Sequence, residues 1–185
     1  MSGVLVTGFE PFGGSDANPS QAIAEALGGV VLPVSYARAA DALRAAVRAA
    51  DPDVVICFGQ ADRESISIEL FAHNLDGAES EDNDGTASTE EIDADGPVAY
   101  RSTLPVDEIV ESLRAEEIPV ERSRDAGGFL CNHVFYVLMR LIEQQRPNTR
   151  GGFVHVPADM PQEQVIRAAR AIVSSCTLVF GATAR

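Results

Sequence analysis

The sequence predicts an α/β protein, a three-layer α/β/α fold with a mostly parallel twisted sheet. Three short apolar segments, Val4–Thr7, Asp53–Phe58 and Gly152–Val156, are each followed directly by glycine or proline. Helical patterns lie between them, and buried strands that alternate with helices are typical of a parallel sheet covered on both faces. Ligands of such sheets bind beyond the carboxyl ends of the strands, so we expect the loops after these three strands to meet at one edge.

The first half of the chain is predicted to contain three strands and two helices. Asn18-Pro19-Ser20 opens the first helix, because asparagine or serine caps a helix well and proline is favoured in its first turn. The second helix is an amphipathic stretch of alanine and arginine. The elements are, in order, the strand Val4–Thr7, a glycine-rich loop at 8–14, a helix from Asn18 to about Leu27, a strand at 30–34, a helix at 39–50 and the strand Asp53–Phe58.

The second half begins with an alternating stretch at 65–72, which predicts a strand. Its aliphatic face carries Ile66, Ile68, Leu70 and Ala72, and Glu69 lies on the opposite face. Residues 75–97 are acidic and polar with almost no apolar spacing, which predicts a long loop or a partly disordered flap. The remaining elements are a helix at 106–116, a strand at 119–122, a helix at 131–145, the strand Gly152–Val156, a helix at 161–175 and a short final strand or tail at 178–180.

Composition indicates a water-soluble protein of one domain, residues 1–185. The chain is 45% hydrophobic with a mean hydropathy of +0.01, and no apolar run approaches membrane-spanning length. The first residues lack the basic and apolar regions of a signal peptide. An odd number of cysteines, 3, argues against a disulfide framework, so we expect a cytoplasmic protein.

The charge of the chain excludes two classes of partner. A formal net charge of −14 argues against binding to nucleic acid or to anionic membranes. The 14 basic residues are all arginine, and abundant acidic residues without lysine fit either a high-salt proteome or a GC-rich genome. Both explanations stay open, and neither bears on the chemistry.

Cys131 is the strongest candidate for a chemical function. It follows Gly127-Gly128-Phe129-Leu130, where a glycine turn runs into a predicted helix. A thiol at a helix N-terminus faces unpaired N–H groups and the positive end of the helix dipole, which favour thiolate. The two glycines let the backbone approach a bound carbonyl group. The alternative is a small core residue, because free cysteine is often buried.

A cysteine nucleophile needs a base and a group that orients the base. His155 is the candidate base, because it lies near the carboxyl end of a predicted strand. His133 follows Cys131 by two residues and therefore faces away on the helix, and His73 is most simply a surface residue. Glu69 is the candidate acid because it lies within a strand, although a glutamate there usually faces solvent.

Metal and nucleotide sites are not indicated. Cysteine and histidine lack the spacings of metal sites, so we expect no metal and no cofactor. The loop at 8–14 follows a strand and precedes a helix, but it has neither phosphate-binding glycine pattern, and Phe9, Pro11 and Phe12 would obstruct a phosphate. The two phenylalanines indicate either an apolar wall of a binding site or core packing.

Four sequence blocks stand out when taken together. They are Thr7-Gly8-Phe9-Glu10-Pro11-Phe12-Gly13-Gly14 with Asn18-Pro19-Ser20; Gly59-Gln60-Ala61 followed by Arg63 and by Glu69 to Asn74; Ala126-Gly127-Gly128-Phe129-Leu130-Cys131-Asn132-His133 with Phe135-Tyr136; and Gly151-Gly152-Phe153-Val154-His155-Val156-Pro157. In this order and spacing the set resembles the pyroglutamyl peptidase I (pyrrolidone-carboxylate peptidase) family, from Val4 to about Pro161.

The resemblance implies a cytoplasmic cysteine peptidase that removes N-terminal pyroglutamate from peptides through a thioester. It implies an α/β/α fold, no metal or cofactor, and a homo-oligomer, either a dimer or a tetramer. The implied catalytic residues are the nucleophile Cys131, the base His155 and the orienting acid Glu69. The implied substrate-binding residues are Phe9 and Phe12 on the pyrrolidone ring, Asn18 in the first block, and Gln60 with the backbone near Phe129 and Leu130 at the lactam amide.

The chain also departs from the family pattern. The family usually has arginine after the acid of the triad, where this chain has Leu70. The loop that usually reads Ala-Arg-Ile-Pro-Asp-Asn reads Ala78-Glu79-Ser80-Glu81-Asp82-Asn83. These changes leave open a second interpretation, a non-catalytic or re-specialised homologue that binds pyroglutamyl-like peptides. A third, a nucleoside-phosphorylase-like enzyme, would need a basic phosphate pocket that the glycine-rich loop does not offer.

Overall fold

The structure is a computed structural model that describes residues 3–77 and 80–181. Strands and helices alternate through most of this range, as the apolar segments predict. The strands are β1 (Val4–Phe9), β2 (Val30–Leu32), β3 (Val54–Ala61), β4 (Ile66–Glu69), β5 (Phe71–His73), β6 (Ala99–Arg101), β7 (Val120–Ser123) and β8 (Arg150–Pro157). The helices are α1 (Pro19–Ala26), α2 (Tyr36–Ala50), α3 (Val106–Ala115), α4 (Leu130–Gln145) and α5 (Gln162–Gly181).

The main sheet has 6 strands in the order β2-β1-β3-β8-β4-β7. β2, β1, β3 and β8 are mutually parallel, while β4 is antiparallel to β8 and parallel to β7. The predicted mostly parallel sheet is therefore confirmed. Because β1, β3 and β8 point the same way, the loops that follow them lie at one edge, as expected.

Helices cover both faces of the sheet, which confirms the three-layer α/β/α architecture. α2 and α4 pack on one face, in a core that contains Leu43, Leu138 and Phe153. α1, α3 and α5 pack on the other face, in a core that contains Ile56, Ile109 and Ile172. Burial of these aliphatic and aromatic side chains stabilises the fold at roughly 25 cal/mol per Å² of apolar surface.

The helix starts follow from capping side chains. The Asn18 side chain accepts the N–H of Ser20 at 2.9 Å, and proline follows directly, as predicted for α1. α2 begins at Tyr36, three residues before the predicted start, because Ser35 accepts the N–H of Arg38 and caps the helix there. This earlier start brings Tyr36 into the first turn of α2.

The prediction of one strand over 65–72 is wrong. The chain leaves the main sheet after Glu69, and β5 pairs antiparallel with β6 in a separate sheet of 2 strands. Ile68 accordingly lies in one core and Ala72 in the other, so the predicted common face ends at Leu70. Apolar and polar residues alternate in the same way in β4 and in β5, so the sequence pattern does not show where β4 ends. The break becomes visible only because β5 pairs with β6, a distant strand that was not predicted.

The prediction of a strand or tail at 178–180 is also wrong, since α5 continues to Gly181. No proline or glycine interrupts this stretch before Gly181, and the buried Ser175 and Cys176 hold its last turns on the core. Within residues 3–77 and 80–181, no helix is both long and apolar enough to cross a membrane.

The loop prediction for 75–97 is confirmed where the structure describes it. The Asp82 carboxylate accepts the backbone N–H groups of Tyr36, Asp84 and Thr86 at 2.8 to 2.9 Å, so this segment is tied to α2 and to itself. Carboxylates that accept several backbone N–H groups hold a loop in one conformation without any regular secondary structure.

Candidate active site

Glu69 and His155 form a buried hydrogen-bonded pair on neighbouring strands. Glu69 in β4 pairs with Phe153 in β8, so His155, two residues further along β8, lies diagonally across the ladder on the same face. His155 Nδ1 lies 2.7 Å from Glu69 Oε1, and both side chains are buried. Because a carboxylate can only accept, Nδ1 carries the proton and Nε2 is left as the ring's acceptor.

Cys131 comes to this pair from the helical layer above the sheet. It is the second residue of α4, and its sulfur lies so close to Gly59 that a Cβ atom added there would be 2.7 Å from Sγ. Gly59 in β3 is the register partner of His155 in β8. Adjacent strands lie about 4.8 Å apart, so the thiol, the imidazole and the Glu69 carboxylate converge on one face of the sheet.

The turn before α4 supplies free backbone donors beside the thiol. Gly127 has a φ of +79°, a left-handed conformation that favours glycine and turns the chain into the helix. Phe129 is the N-cap residue and makes no side-chain capping bond. Among the described residues, no acceptor pairs with the backbone N–H groups of Leu130 and Cys131, which are unpaired first-turn donors of a helix.

The predicted approach of the glycine pair to a ligand takes a different form in the structure. A Cβ on Gly128 would lie 2.7 Å from the carbonyl carbon of Gly77, and the N–H of Gly77 donates to the Gly128 oxygen at 2.8 Å. Gly128 therefore allows the loop after β5 to pack directly on the turn that carries the nucleophile candidate.

The surroundings of Cys131 disfavour ionisation of its thiol. Burial, and to a smaller extent the nearby Glu69 charge, together raise the pKa of the thiol to about 12, while Arg63 acts in the opposite direction. Desolvation therefore opposes the expected effect of the helix start on the thiol, because burial disfavours the charged form. The residue as a whole is only half-buried, unlike Cys57 and Cys176, which are buried.

An aromatic wall adjoins Cys131. The rings of Phe12 and Phe129 have centroids 5.9 Å apart, and Tyr36 contacts Phe129 edge-on at 5.8 Å. Phe9 is fully buried and packs on Phe153 at 6.4 Å, so it belongs to the core beneath the site. Leu130 is also buried, at the first position of α4. Of the two alternatives for the phenylalanine pair, Phe12 fits the wall and Phe9 fits the core.

Among the described residues, no hydrogen bond joins the side chain of Asn18 or Gln60 to Cys131. Asn18 caps α1 and donates to the backbone oxygen of Glu10 at 3.1 Å, which fixes the loop that carries Phe12. Gln60 is half-buried near the end of β3, and strand alternation puts its side chain on the face opposite to Gly59. Substrate contacts of these two side chains stay predictions.

The other histidines and cysteines lie outside the cluster, as expected. His133 Nδ1 pairs with the Asp76 carboxylate at 3.0 Å, and His73 is exposed. Cys57 and Cys176 are buried free thiols in the two cores. Among residues 3–77 and 80–181, no group of three or more histidine, cysteine or acidic side chains is arranged to hold a metal ion.

The departures from the family pattern fall in different places. Leu70 lies beside a surface cleft lined by Ser102, Leu104 and Arg122, where the chain leaves the main sheet. Its position leaves the Glu69–His155 pair intact. Glu79 lies outside the described residues.

Two residues of the site were missed by sequence reasoning. Arg63 lies 3.2 Å from Glu69 Oε1, and Tyr36 belongs to the aromatic wall. The signal for Arg63 was its place in the second sequence block, where no role was assigned to it. The signal for Tyr36 was Ser35, a cap residue directly before it.

The chain is similar to known proteins over nearly its whole length. The pyroglutamyl peptidase family model matches residues 2–181. A pyrrolidone-carboxylate peptidase from Bacillus cytotoxicus is 39% identical, covering 98% of this chain and 89% of the relative. One from Clavibacter michiganensis subsp. michiganensis is 46% identical over 85% of this chain and 79% of the relative.

Solved structures agree with the fold. Pyrrolidone carboxyl peptidase from Thermococcus litoralis superposes with a TM-score of 0.94 at 34% identity, covering 100% of this chain and 97% of that one. Pyroglutamyl peptidase I from Bacillus amyloliquefaciens gives a TM-score of 0.92 at 35% identity, covering 96% of each chain. From the family match, the relatives and the shared fold, we conclude that this chain belongs to the pyroglutamyl peptidase family of cysteine peptidases.

Proposed function

We propose that this chain hydrolyses the bond after an N-terminal pyroglutamyl residue, with Cys131 as nucleophile, His155 as general base and acid, and Glu69 as the orienting acid. The observation that carries the proposal is the buried 2.7 Å contact between His155 and Glu69. His155 lies in β8 directly beside Gly59 of β3, and the Cys131 sulfur lies over Gly59. A nucleophile, a base and a group that orients the base are the three parts that such chemistry requires.

In the first step the Cys131 sulfur attacks the carbonyl carbon of the pyroglutamyl residue. The high pKa of the thiol means that its proton leaves during the attack, and the acceptor is Nε2 of His155, whose Nδ1–H is held by Glu69. The carbonyl oxygen becomes an oxyanion, for which the free N–H groups of Leu130 and Cys131 are suitable donors.

In the second step the tetrahedral intermediate collapses to a thioester and the carbon–nitrogen bond breaks. His155 returns its proton to the leaving amine, which departs as the shortened peptide. A water molecule then loses a proton to His155 and attacks the thioester, and the sulfur leaves with that proton restored. The products are free pyroglutamate and a peptide one residue shorter.

The aromatic wall accounts for the choice of an uncharged N-terminal residue. Pyroglutamate is a lactam and has no ammonium group, so an apolar pocket with a few amide partners suits it better than an acidic one. Phe12, Phe129 and Tyr36 supply such a surface beside the thiol.

Hydrolysis of a pyroglutamyl-arylamide by the full chain tests the proposal. Wild type should release the arylamine, and Cys131→Ser and Cys131→Ala should lose at least about 10³-fold in kcat while keeping the wild-type melting temperature. Cys176→Ala is the control, because that thiol lies in the core on the opposite face of the sheet. Full activity of Cys131→Ala would show that another group is the nucleophile.

The same pyroglutamyl-arylamide, followed by mass spectrometry, distinguishes an enzyme from a protein that only binds the substrate. Mass spectrometry of quenched wild type should detect a pyroglutamyl thioester on Cys131, whereas a binding homologue would give reversible binding and no adduct. A homo-oligomer, either a dimer or a tetramer, and a cytoplasmic location stay predictions that rest on family resemblance.

A further inference from the structure

Arg63 connects the acid of the candidate triad with the turn that carries the nucleophile. Its Nη1 lies 3.2 Å from Glu69 Oε1, and its Nη2 donates a 2.7 Å hydrogen bond to the backbone oxygen of Asp125. The side chain is only 24% exposed, although arginine usually faces solvent. One planar guanidinium thus touches two segments that lie 56 residues apart in the chain, at 69 and 125.

The Asp125 end of this link is itself rigid. The Ser123 hydroxyl donates to the Asp125 oxygen at 3.1 Å, and the Asp125 carboxylate accepts the N–H of Gly127 at 2.8 Å. Gly127 is the left-handed residue that turns the chain into α4. A displacement of the Asp125 carbonyl would therefore move the start of α4 and the thiol of Cys131 with it.

The Glu69 end is electrostatically demanding. Glu69 is fully buried, and its Oε1 accepts a hydrogen bond from His155 and forms an ion pair with Arg63. Its Oε2 has no hydrogen-bond partner among the described residues. A buried carboxylate with a single bonded oxygen is costly unless a positive charge lies close by. Among the described residues, Arg63 is the arginine in contact with Glu69, and its charge also lowers the pKa of Cys131 against the effect of burial.

We propose that Arg63 is a positioning residue of this enzyme, which fixes the Glu69 carboxylate against His155 and fixes the turn before α4 at the same point. The inference rests on the function proposed above for Cys131, His155 and Glu69. Because the contacts of Arg63 are to Glu69 and Asp125, we expect its loss to reduce the rate of the chemical step more than the binding of substrate.

Three variants test this role against a pyroglutamyl-arylamide. Arg63→Gln should lose about 10- to 100-fold in kcat, the cost of a small misplacement of reacting groups, with KM changed less than about threefold. The acidic limb of its pH profile should move to higher pH, because loss of a positive charge makes protonation of the site easier. Arg63→Lys should recover part of kcat. In Arg63→Ala, added methylguanidinium should recover part of it, which a purely structural defect would not permit.

Arg122→Gln is the matched control, because Arg122 lies on β7 and forms an ion pair with Asp107 of α3, away from the thiol. It should leave kcat and the pH profile unchanged. Wild-type kcat and pH profile in Arg63→Gln would overturn the positioning role, as would a rise in KM alone. If wild type itself shows no turnover, the proposed function fails. Arg63 is then judged by alkylation of Cys131 with iodoacetamide, which Arg63→Gln should slow at pH 9, and an unchanged rate would overturn the inference.

Discussion

The sulfur of Cys131 lies over the backbone of Gly59, so close that a Cβ atom on Gly59 would be 2.7 Å from Sγ. This contact brings the first turn of α4 down onto β3, directly beside the register partner of Gly59, His155. A side chain at position 59 would hold the thiol away from the sheet. The absence of a side chain there is therefore a condition for the cluster of Cys131, His155 and Glu69.

Gly59→Ala should reduce both activity and stability. The new methyl group would also meet the Phe153 ring at 2.7 Å, so we expect a loss of about 1–3 kcal/mol in the free energy of unfolding. Displacement of the thiol should lower kcat/KM by about 10²-fold. Gly3→Ala is the control, because its Cβ would meet only Pro52 at an ordinary 3.8 Å. Unchanged turnover in Gly59→Ala would contradict the placement of the thiol.

Glu69→Gln should separate orientation of the base from binding of the substrate. The amide can present N–H to His155 Nδ1 and so favour the wrong tautomer of the ring, which should lower kcat by about 10²- to 10⁴-fold with a small change in KM. Glu121→Gln serves as control, since that glutamate accepts from Ser67 on the neighbouring strand and is exposed. Steady-state kinetics of both variants would show whether the charge at 69 matters; a normal kcat in Glu69→Gln would refute the role of Glu69.

Alkylation with iodoacetamide should distinguish the three thiols. In the folded protein Cys131 should be labelled first, because Cys57 and Cys176 are fully buried. With a pKa of about 12, the Cys131 thiol should react about tenfold faster for each pH unit between pH 7 and pH 10. Peptide mapping by mass spectrometry gives both results. A plateau near neutral pH would indicate instead a resting thiolate–imidazolium pair with His155.

Alkaline pH should destabilise the fold through the buried thiols. Burial raises the pKa of Cys57 and of Cys176 from 9.0 to about 12, so the unfolded chain ionises first as the pH rises. Their contribution is intact below pH 9 and is lost between pH 9 and pH 12, at a cost of about 1 kcal/mol per thiol by pH 10. The chain has no lysine to mask the effect.

Urea unfolding at pH 8 and pH 10 measures this loss. Cys57→Ala and Cys176→Ala should each start less stable because of lost packing, yet each should lose about 1 kcal/mol less between the two pH values than wild type. Equal losses in all three proteins would show that the thiols do not set the alkaline limit.

Tyr36→Phe should leave the fold as stable or make it more stable, by up to about 1 kcal/mol. The Tyr36 hydroxyl oxygen is buried without a hydrogen-bond partner among the described residues, and burial and the charges of Asp76 and Asp82 raise its pKa. Tyr136→Phe is the contrasting variant, because that hydroxyl donates to the Pro97 oxygen at 2.8 Å and its loss should cost about 1 kcal/mol. Thermal unfolding measures the stability of both variants. An equal loss of stability in both would show that the Tyr36 hydroxyl does have a hydrogen-bond partner.

The parts that were predictable from sequence are those with local causes. The strands that became β1, β3 and β8 were visible as short apolar runs before glycine or proline, and the start of α1 as a cap followed by proline. Cys131 and His155 could be chosen because each lies at the end of a predicted element on the expected edge. Glu69 needed the family resemblance, because a strand glutamate carries no local sign of burial.

The parts that were not predictable depend on contacts between distant segments. The break between β4 and β5 follows from pairing with β6, and the reach of Arg63 to Asp125 spans 62 residues. The pKa of Cys131 could not be inferred from its helix position, because the desolvation that raises it comes from packing against the sheet.

The sequence by itself determined the α/β class, the main elements and the identity of a thiol, an imidazole and a carboxylate suited to cysteine chemistry. Only the tertiary structure decided that these three converge above Gly59, that Arg63 joins two of their supporting segments, and that burial raises the pKa of the thiol. The physical reason is range: hydrophobic periodicity and capping act over a few residues, whereas desolvation, charge pairing and steric contact depend on which segments the fold brings together.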